Sequence, residues 1–216
     1  MIEQTFILII LNCKKYKYKA DLQKKYWLKN LNTNISYFHI IGDKEKCQTN
    51  DYLFDNENNI LYVNTPDDYL SLPNKVITAI DAINKNYNYK YILKTDDDQM
   101  LINKNYLDIT LSLLEKKEFD YGGLLIQVPD HISKYWMIHE CLPRDLFLKG
   151  TQYCNGRFYI LSNKLANILI NKKESIKKYI IEDHCIGLHT PEEYKRNILK
   201  IDNNKIFVDM EKYFKK

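Results

Sequence analysis

Six consecutive apolar residues, Phe6 to Leu11, lie within the segment TFILIILNC near the start of the chain. A strand with one wet face alternates apolar and polar residues. An unbroken run needs cover on both faces, the condition of a parallel strand inside an α/β sheet. The chain keeps to that pattern. KKYKYKADLQKKYWLKNL has a helical period in its second half, with Leu22, Tyr26 or Trp27, and Leu31 on one face. ISYFHIIGD reads as a second strand closed by Gly42-Asp43, and NILYVNTPDDY as a third that stops at Asn64-Thr65-Pro66. LSLPNKVITAIDAINKNY predicts a helix, with Val76, Ala79, Ile80 and Ile83 three and four apart and Pro73 in its first turn. It leads into the strand YKYILKTDDDQ. NKNYLDITLSLLEKK then reads as a helix, FDYGGLLIQ as a strand with a glycine turn, GTQYCNGRFYILS as a strand and NKLANILINKKESIKKY as a helix. Strand and helix alternating in this way predict an α/β protein with a mostly parallel central sheet flanked by helices. No internal repeat or proline-rich linker divides the chain, so one domain over residues 1–216 is expected.

Hydrophobic residues at 45% and charged residues at 28% are those of a globular chain, not a disordered one. Lys and Arg number 32 against 28 Asp and Glu, a net +4 too mild and too spread to predict a nucleic-acid partner. The run Phe6–Leu11 is too short to span a membrane and follows an acid, Glu3, so neither a span nor a signal peptide is expected. Five scattered cysteines, odd in number and without metal-site spacing, fit a reducing, cytoplasmic setting.

The chemistry concentrates in YILKTDDDQMLIN. Asp96, Asp97 and Asp98 fall where an apolar strand should end, and ligands of open α/β sheets bind beyond the carboxyl ends of strands. Three adjacent carboxylates repel unless a positive charge sits among them. As hard oxygen donors they suit Mg²⁺ or Mn²⁺, and such an ion also takes phosphate oxygens. A solvated acidic turn or a helix N-terminus reads the same triplet without any ligand. A second acidic pair, Glu182-Asp183 in YIIEDHCIGLH, would serve proton removal if it met the first in one cleft, and a plain helix start if it did not.

Taken in order, the motifs resemble those of glycosyltransferase family 31, the β1,3-galactosyltransferase, β1,3-N-acetylglucosaminyltransferase and Fringe-like enzymes. KADLQKKYW is similar to the family's early basic segment ending in Trp, with Lys19 and Lys24 where arginines are usual. DDYLSLPNKVITAI resembles its D-x-Y-x-N-L-x-x-K segment through Asp67, Tyr69, Leu72 and Lys75, with Ser71 in place of the asparagine. YILKTDDDQMLIN resembles its metal motif, YCNGRFYILSNKLANIL its Y-x-x-G-x-x-Y-x-L-S segment, and EDHCIG its E-D-V-x-x-G. The resemblance runs from about Leu8 to Leu188.

It implies a GT-A fold, a nucleotide-sugar donor, usually a UDP-sugar, and a divalent cation, Mn²⁺ or Mg²⁺. Asp98 would be the direct metal ligand, Asp96 would reach the metal or the ribose, and Asp97 would assist. Lys19 and Lys24 would offset donor phosphate charge, unless each is a solvated helix lysine, and Lys75 would belong to the donor site. The implied reaction is an inverting displacement with Asp183 as general base, or Glu182 in its place, onto a hydroxyl of a glycan, protein or lipid-linked acceptor. Members supply a late histidine to the metal; His189 lies too close to Asp183 for that, so the ligand is expected to be missing or replaced by Asp209. His184 and His189, as lone histidines, are expected to be structural or solvated, not ligands. Gly122-Gly123 and Trp136 would shape the donor and acceptor pockets, unless Trp136 simply packs in the core. Two other readings stay open, a nucleotidyltransferase of related fold and a non-catalytic glycan-binding relative.

Overall fold

The computed structural model describes residues 2–215. The first half carries β1 (Ile2–Leu11), α1 (Lys17–Tyr26), β2 (Ile35–Gly42), α2 (Lys44–Cys47), β3 (Tyr52–Asp55), β4 (Ile60–Val63), α3 (Leu72–Asn86) and β5 (Tyr87–Asp96). Then come β6 (Gln99–Leu101), α4 (Lys104–Lys116), β7 (Tyr121–Val128), β8 (His131–Ile132), β9 (Phe147–Leu148), β10 (Thr151–Ser162), α5 (Asn163–Ile170) and α6 (Lys173–Ile176). The chain ends with α7 (Glu182–His189), α8 (Glu192–Lys195), β11 (Leu199–Lys200), α9 (Asn203–Ile206), β12 (Phe207–Asp209) and α10 (Met210–Phe214).

Eight strands form one sheet in the order β11-β7-β10-β5-β1-β2-β4-β3. Its centre is parallel, β1 pairing with β2 and β5, and β2 with β4, while β10 runs antiparallel between β5 and β7. The run Phe6–Leu11 explains itself here. Ile7, Ile9 and Leu11 enter a core with α3, α5 and α7, and Phe6, Leu8 and Ile10 enter another with Trp27, α4 and Phe207. Each residue of the run Phe6–Leu11 is buried because both faces are covered.

Several local expectations change. α1 stops at Tyr26 and buries Ala20 and Gln23, so Leu31 lies beyond the helix, past a 3₁₀ turn. The segment after β10 breaks at Asn171-Lys172 into α5 and α6. Gly122 and Gly123 sit inside β7 and make no turn. Gly123 has φ +153, and a Cβ there would come within 2.7 Å of the Cys154 Cβ, where the β7–β10 register shifts. The short strands β3, β6 and β12 were not anticipated.

α7 lies tightly on β10. A Cβ on Gly187 would overlap the Tyr153 Cβ and reach 2.7 Å from the Gln152 carbonyl oxygen. Gly187→Ala is expected to cost about 1–3 kcal/mol by overpacking, read as a lower urea midpoint at unchanged slope.

Candidate active site

β1 and β5 end side by side, with Leu11 opposite Asp96 and the Asp97 amide donating to the Leu11 carbonyl at 3.1 Å. The three aspartates therefore leave the sheet at its carboxyl edge. The turn at Asp97-Asp98 passes directly into β6, which pairs antiparallel with β12. That pairing sets Asp209 opposite Gln99, and the Met210 amide donates to the Asp98 carbonyl at 2.6 Å.

Beside Lys19, which meets Asp97, the aspartates hold a second positive charge, Lys94, which the sequence does not single out. Its side chain is 2% exposed, and its Nζ lies 2.8 Å from Asp96 Oδ1, 3.1 Å from Glu182 Oε2 and 2.7 Å from the Gly156 carbonyl. The signal was a spacing: two residues apart on a strand, Lys94 and Asp96 share a face. Lys94 thus joins the two acidic clusters. Its pKa is held above the ordinary lysine value by Asp96 and Glu182, which outweigh the opposing effect of burial.

Glu182 and Asp183 part company in this setting. Glu182 is buried, tied to Lys94 and to the Tyr159 hydroxyl, which donates to it. Asp183 is half-buried and accepts the Gly156 amide at Oδ2 (2.8 Å) and the His184 amide at Oδ1 (2.7 Å). Burial pushes both carboxyls up, with Lys94 opposing. Gly156 lets this happen, since a Cβ there would sit 3.2 Å from Asp183 Oδ2.

Asp97 pairs with Lys19 at 3.2 Å, yet burial pushes its carboxyl up to about 7. Asp96 keeps 36% of its side chain in solvent, with protein covering the rest. Loss of bulk solvent and the nearby Asp98 raise it to about 6 against the pull of Lys94. Asp98 is half-buried, and Gln99 Nε2 donates to its Oδ1 at 2.7 Å and to Asp209 Oδ1 at 3.3 Å. Arg157 and Lys212 also hold Asp209. From α1, Gln23 donates to the backbone carbonyls of Asp96 and Gln99 at 3.0 and 2.8 Å, fixing the turn; nothing in its sequence position marked this role.

The other expected residues are placed as follows. Lys75 is 1% exposed and donates to the Asn12 carbonyl and Asp67 Oδ1 at 2.8 and 2.6 Å; Asp67 also accepts the Gly42 and Lys14 amides. It ties together the loops beside the aspartates and presents no free ammonium to a ligand. Lys24 is not brought to them. It donates to the Asn58 carbonyl at 2.7 Å, because five helical residues turn about 500° and send Lys24 and Lys19 to different sides of α1. His184 meets the Lys149 carbonyl, and His189 meets Ser175 and the Cys185 carbonyl, contacts that serve packing. Trp136 packs with Tyr69, Leu142 and Leu148, and Tyr69 stacks on His139 at 4.1 Å. Burial, with Asp183 and Asp96 adding, pushes the Tyr69 hydroxyl up to about 12.

A divalent cation fits this donor set. Asp96, Asp97 and Asp98 each commit one carboxylate oxygen, and the second oxygen of each has no donor among the described residues. The set is all oxygen, as Mg²⁺ and Mn²⁺ prefer. No three acidic, histidine or cysteine side chains among the described residues form a ready-made cage. A cation would therefore take one or two of these carboxylates and fill its remaining positions from a bound phosphate or water.

A family model described as galactosyltransferase matches residues 21–204. The chain belongs to the galactosyltransferase family. It is similar to UDP-GalNAc:beta-1,3-N-acetylgalactosaminyltransferase 1 of Sus scrofa, 28% identical over 137 residues that make up 63% of this chain and 40% of that protein. The Homo sapiens protein of that name is 28% identical over 123 residues, 56% of this chain and 37% of the relative. This galactosyltransferase-family chain thus spans about two fifths of the length of the curated relatives it matches. A crystal structure of core-mannan synthase A from Aspergillus fumigatus, in an Mn/GDP form, superposes with TM-score 0.51 at 11% identity, covering 96% of this chain and 75% of that one. That likeness concerns fold alone, a central sheet flanked by helices. Among the described residues no helix is long and apolar enough to cross a membrane.

Proposed function

We propose that the chain transfers a sugar from a UDP-sugar to an acceptor hydroxyl, with inversion, at the cleft between the aspartate turn and α7. The observation that carries this reading is Lys94, which bridges Asp96 and Glu182 and so holds the two acidic clusters at one place. The family and the names of the relatives support a UDP-sugar donor. When bound, Mn²⁺ or Mg²⁺ supplies charge neutralisation for the leaving diphosphate. Asp98 and Asp96 are its proposed ligands, with Asp209 near through Gln99, and Lys19 with Asp97 is the cation available at the donor side.

Asp183 is the proposed general base, because its carboxylate is half-buried at the cleft while Glu182 is held by Lys94 and Tyr159. The acceptor hydroxyl oxygen attacks the anomeric carbon and its proton passes to Asp183. The bond from that carbon to the diphosphate oxygen breaks, and its electron pair leaves with UDP. The acceptor is a hydroxyl of a glycan, protein or lipid-linked molecule.

Calorimetry tests the donor site. UDP is expected to bind the wild type with Mn²⁺ and far more weakly without it, and Asp98→Ala is expected to abolish the metal-dependent part. UDP binding that ignores both the metal and the substitution would overturn the assignment.

A further inference from the structure

On the other side of α1 from Lys19, a groove of about 570 Å³ lies between that helix, β2 and β4. None of the three aspartates lines it. Its polar wall is mostly donors. Of its four lysines, only Lys14 meets a carboxylate, Asp43. Lys24 and Lys46 each have one neutral acceptor, the Asn58 carbonyl and the Tyr62 hydroxyl, and Lys17 has none among the described residues. Two of the three lining acids are engaged: Asp43 already holds Lys14 and the Lys46 amide, and both oxygens of Asp55 accept from Asn58. The third, Asp21, is exposed and offsets one of the lysines.

His39 adds an independent sign. It lines the groove with 0% exposure, and its Nε2 has no partner. Asn12 Oδ1 accepts the Cys13 amide at 2.6 Å, so the Asn12 amide group faces His39 Nδ1 at 3.5 Å. That pattern assigns the ring proton to Nε2. Burial, with the charge of Lys24 adding, holds the His39 pKa down to about 3, so the ring is neutral and Nε2–H stays a donor. A buried donor without an acceptor is rare in native proteins, and here it stands among lysines that also have hydrogens to give.

We infer that this groove is a second ligand site, separate from the aspartate cleft, that binds a phosphoryl group, either on a small phosphorylated organic molecule or as free phosphate. The phosphoryl oxygens would accept from the ammoniums of Lys17, Lys24 and Lys46, and from His39 Nε2–H once the ring's cover opens to the groove. The volume exceeds a bare phosphate and falls in the range of about 300–1,000 Å³ usual for small-molecule sites, with Ile41 and Ile60 on the wall for an organic part. Occupancy would press on α1, whose other side holds Lys19 on Asp97 and Gln23 on the aspartate turn.

The test titrates inorganic phosphate, glucose 1-phosphate and uridine monophosphate, in EDTA, into wild type and into Lys24→Gln/Lys46→Gln. It follows heat and the His39 Nε2–H resonance. Saturable binding of at least one probe, a shift of that resonance and a loss of about tenfold or more in the double variant are expected. Tighter binding of an organic phosphate identifies the ligand as such, and equal binding of inorganic phosphate identifies the free anion. No saturable binding, or binding that the double variant leaves unchanged, would overturn the inference. The donor-site reading is judged separately, by the metal-dependent UDP titration.

Discussion

Lys94→Met is expected to remove transfer activity and about 3–5 kcal/mol of stability, the cost of leaving buried carboxylates without their partner. Asp96 and Glu182 both lean on this one ammonium, and with its side chain 2% exposed water does not replace it. The loss should depend on pH, with a sign that identifies its cause. Without Lys94 the folded pKa values of Asp96 and Glu182 rise further above their unfolded values of about 4. The folded variant then binds more protons than the unfolded one, so its stability falls as pH rises through the raised folded values. Urea melts at pH 5 and pH 8 should show a smaller deficit at pH 5. A deficit equal at both would mean that Lys94 acts through packing alone, and wild-type activity would remove it from the site.

Asp183→Asn is expected to lower transfer by about 10²–10⁴-fold while leaving metal-dependent UDP binding intact. Asparagine keeps an acceptor for one of the two amides that Asp183 holds, Gly156 and His184, and so loses one local contact. The rate of the wild type should rise with pH as Asp183, raised above the usual carboxylate value by burial, gives up its proton. That limb should vanish in the variant. Normal transfer by Asp183→Asn would end its assignment as base.

The large elements were legible because burial leaves a periodic trace. The six apolar residues of β1 face two cores, and Val76, Ala79, Ile80 and Ile83 mark the buried side of α3. What escaped depended on partners far away in the chain. β6 and β12 are three residues each, and only their mutual pairing makes them strands. The break at Asn171-Lys172 has no glycine or proline to announce it. The aspartates and the Glu182-Asp183 pair were visible as residue types, and Asp209, named as a candidate, shares Gln99 with Asp98. Lys94 was hidden because a lysine in a strand has a meaning only when its facing neighbour is known. Lys19 and Lys24 were alike in sequence, and the helix twist sent them to different sides.

The pairing of β6 with β12 also orders events during folding. Gln99 and Asp209 are 110 residues apart, so β6, which follows Asp98 directly, waits for a strand partner far along the chain. Contacts of such long reach form late. During synthesis Leu11 and Gln23 can hold the aspartate turn from residues already released by the ribosome, while its β6 side gains a strand partner only when Phe207–Asp209 emerges and lies down beside it.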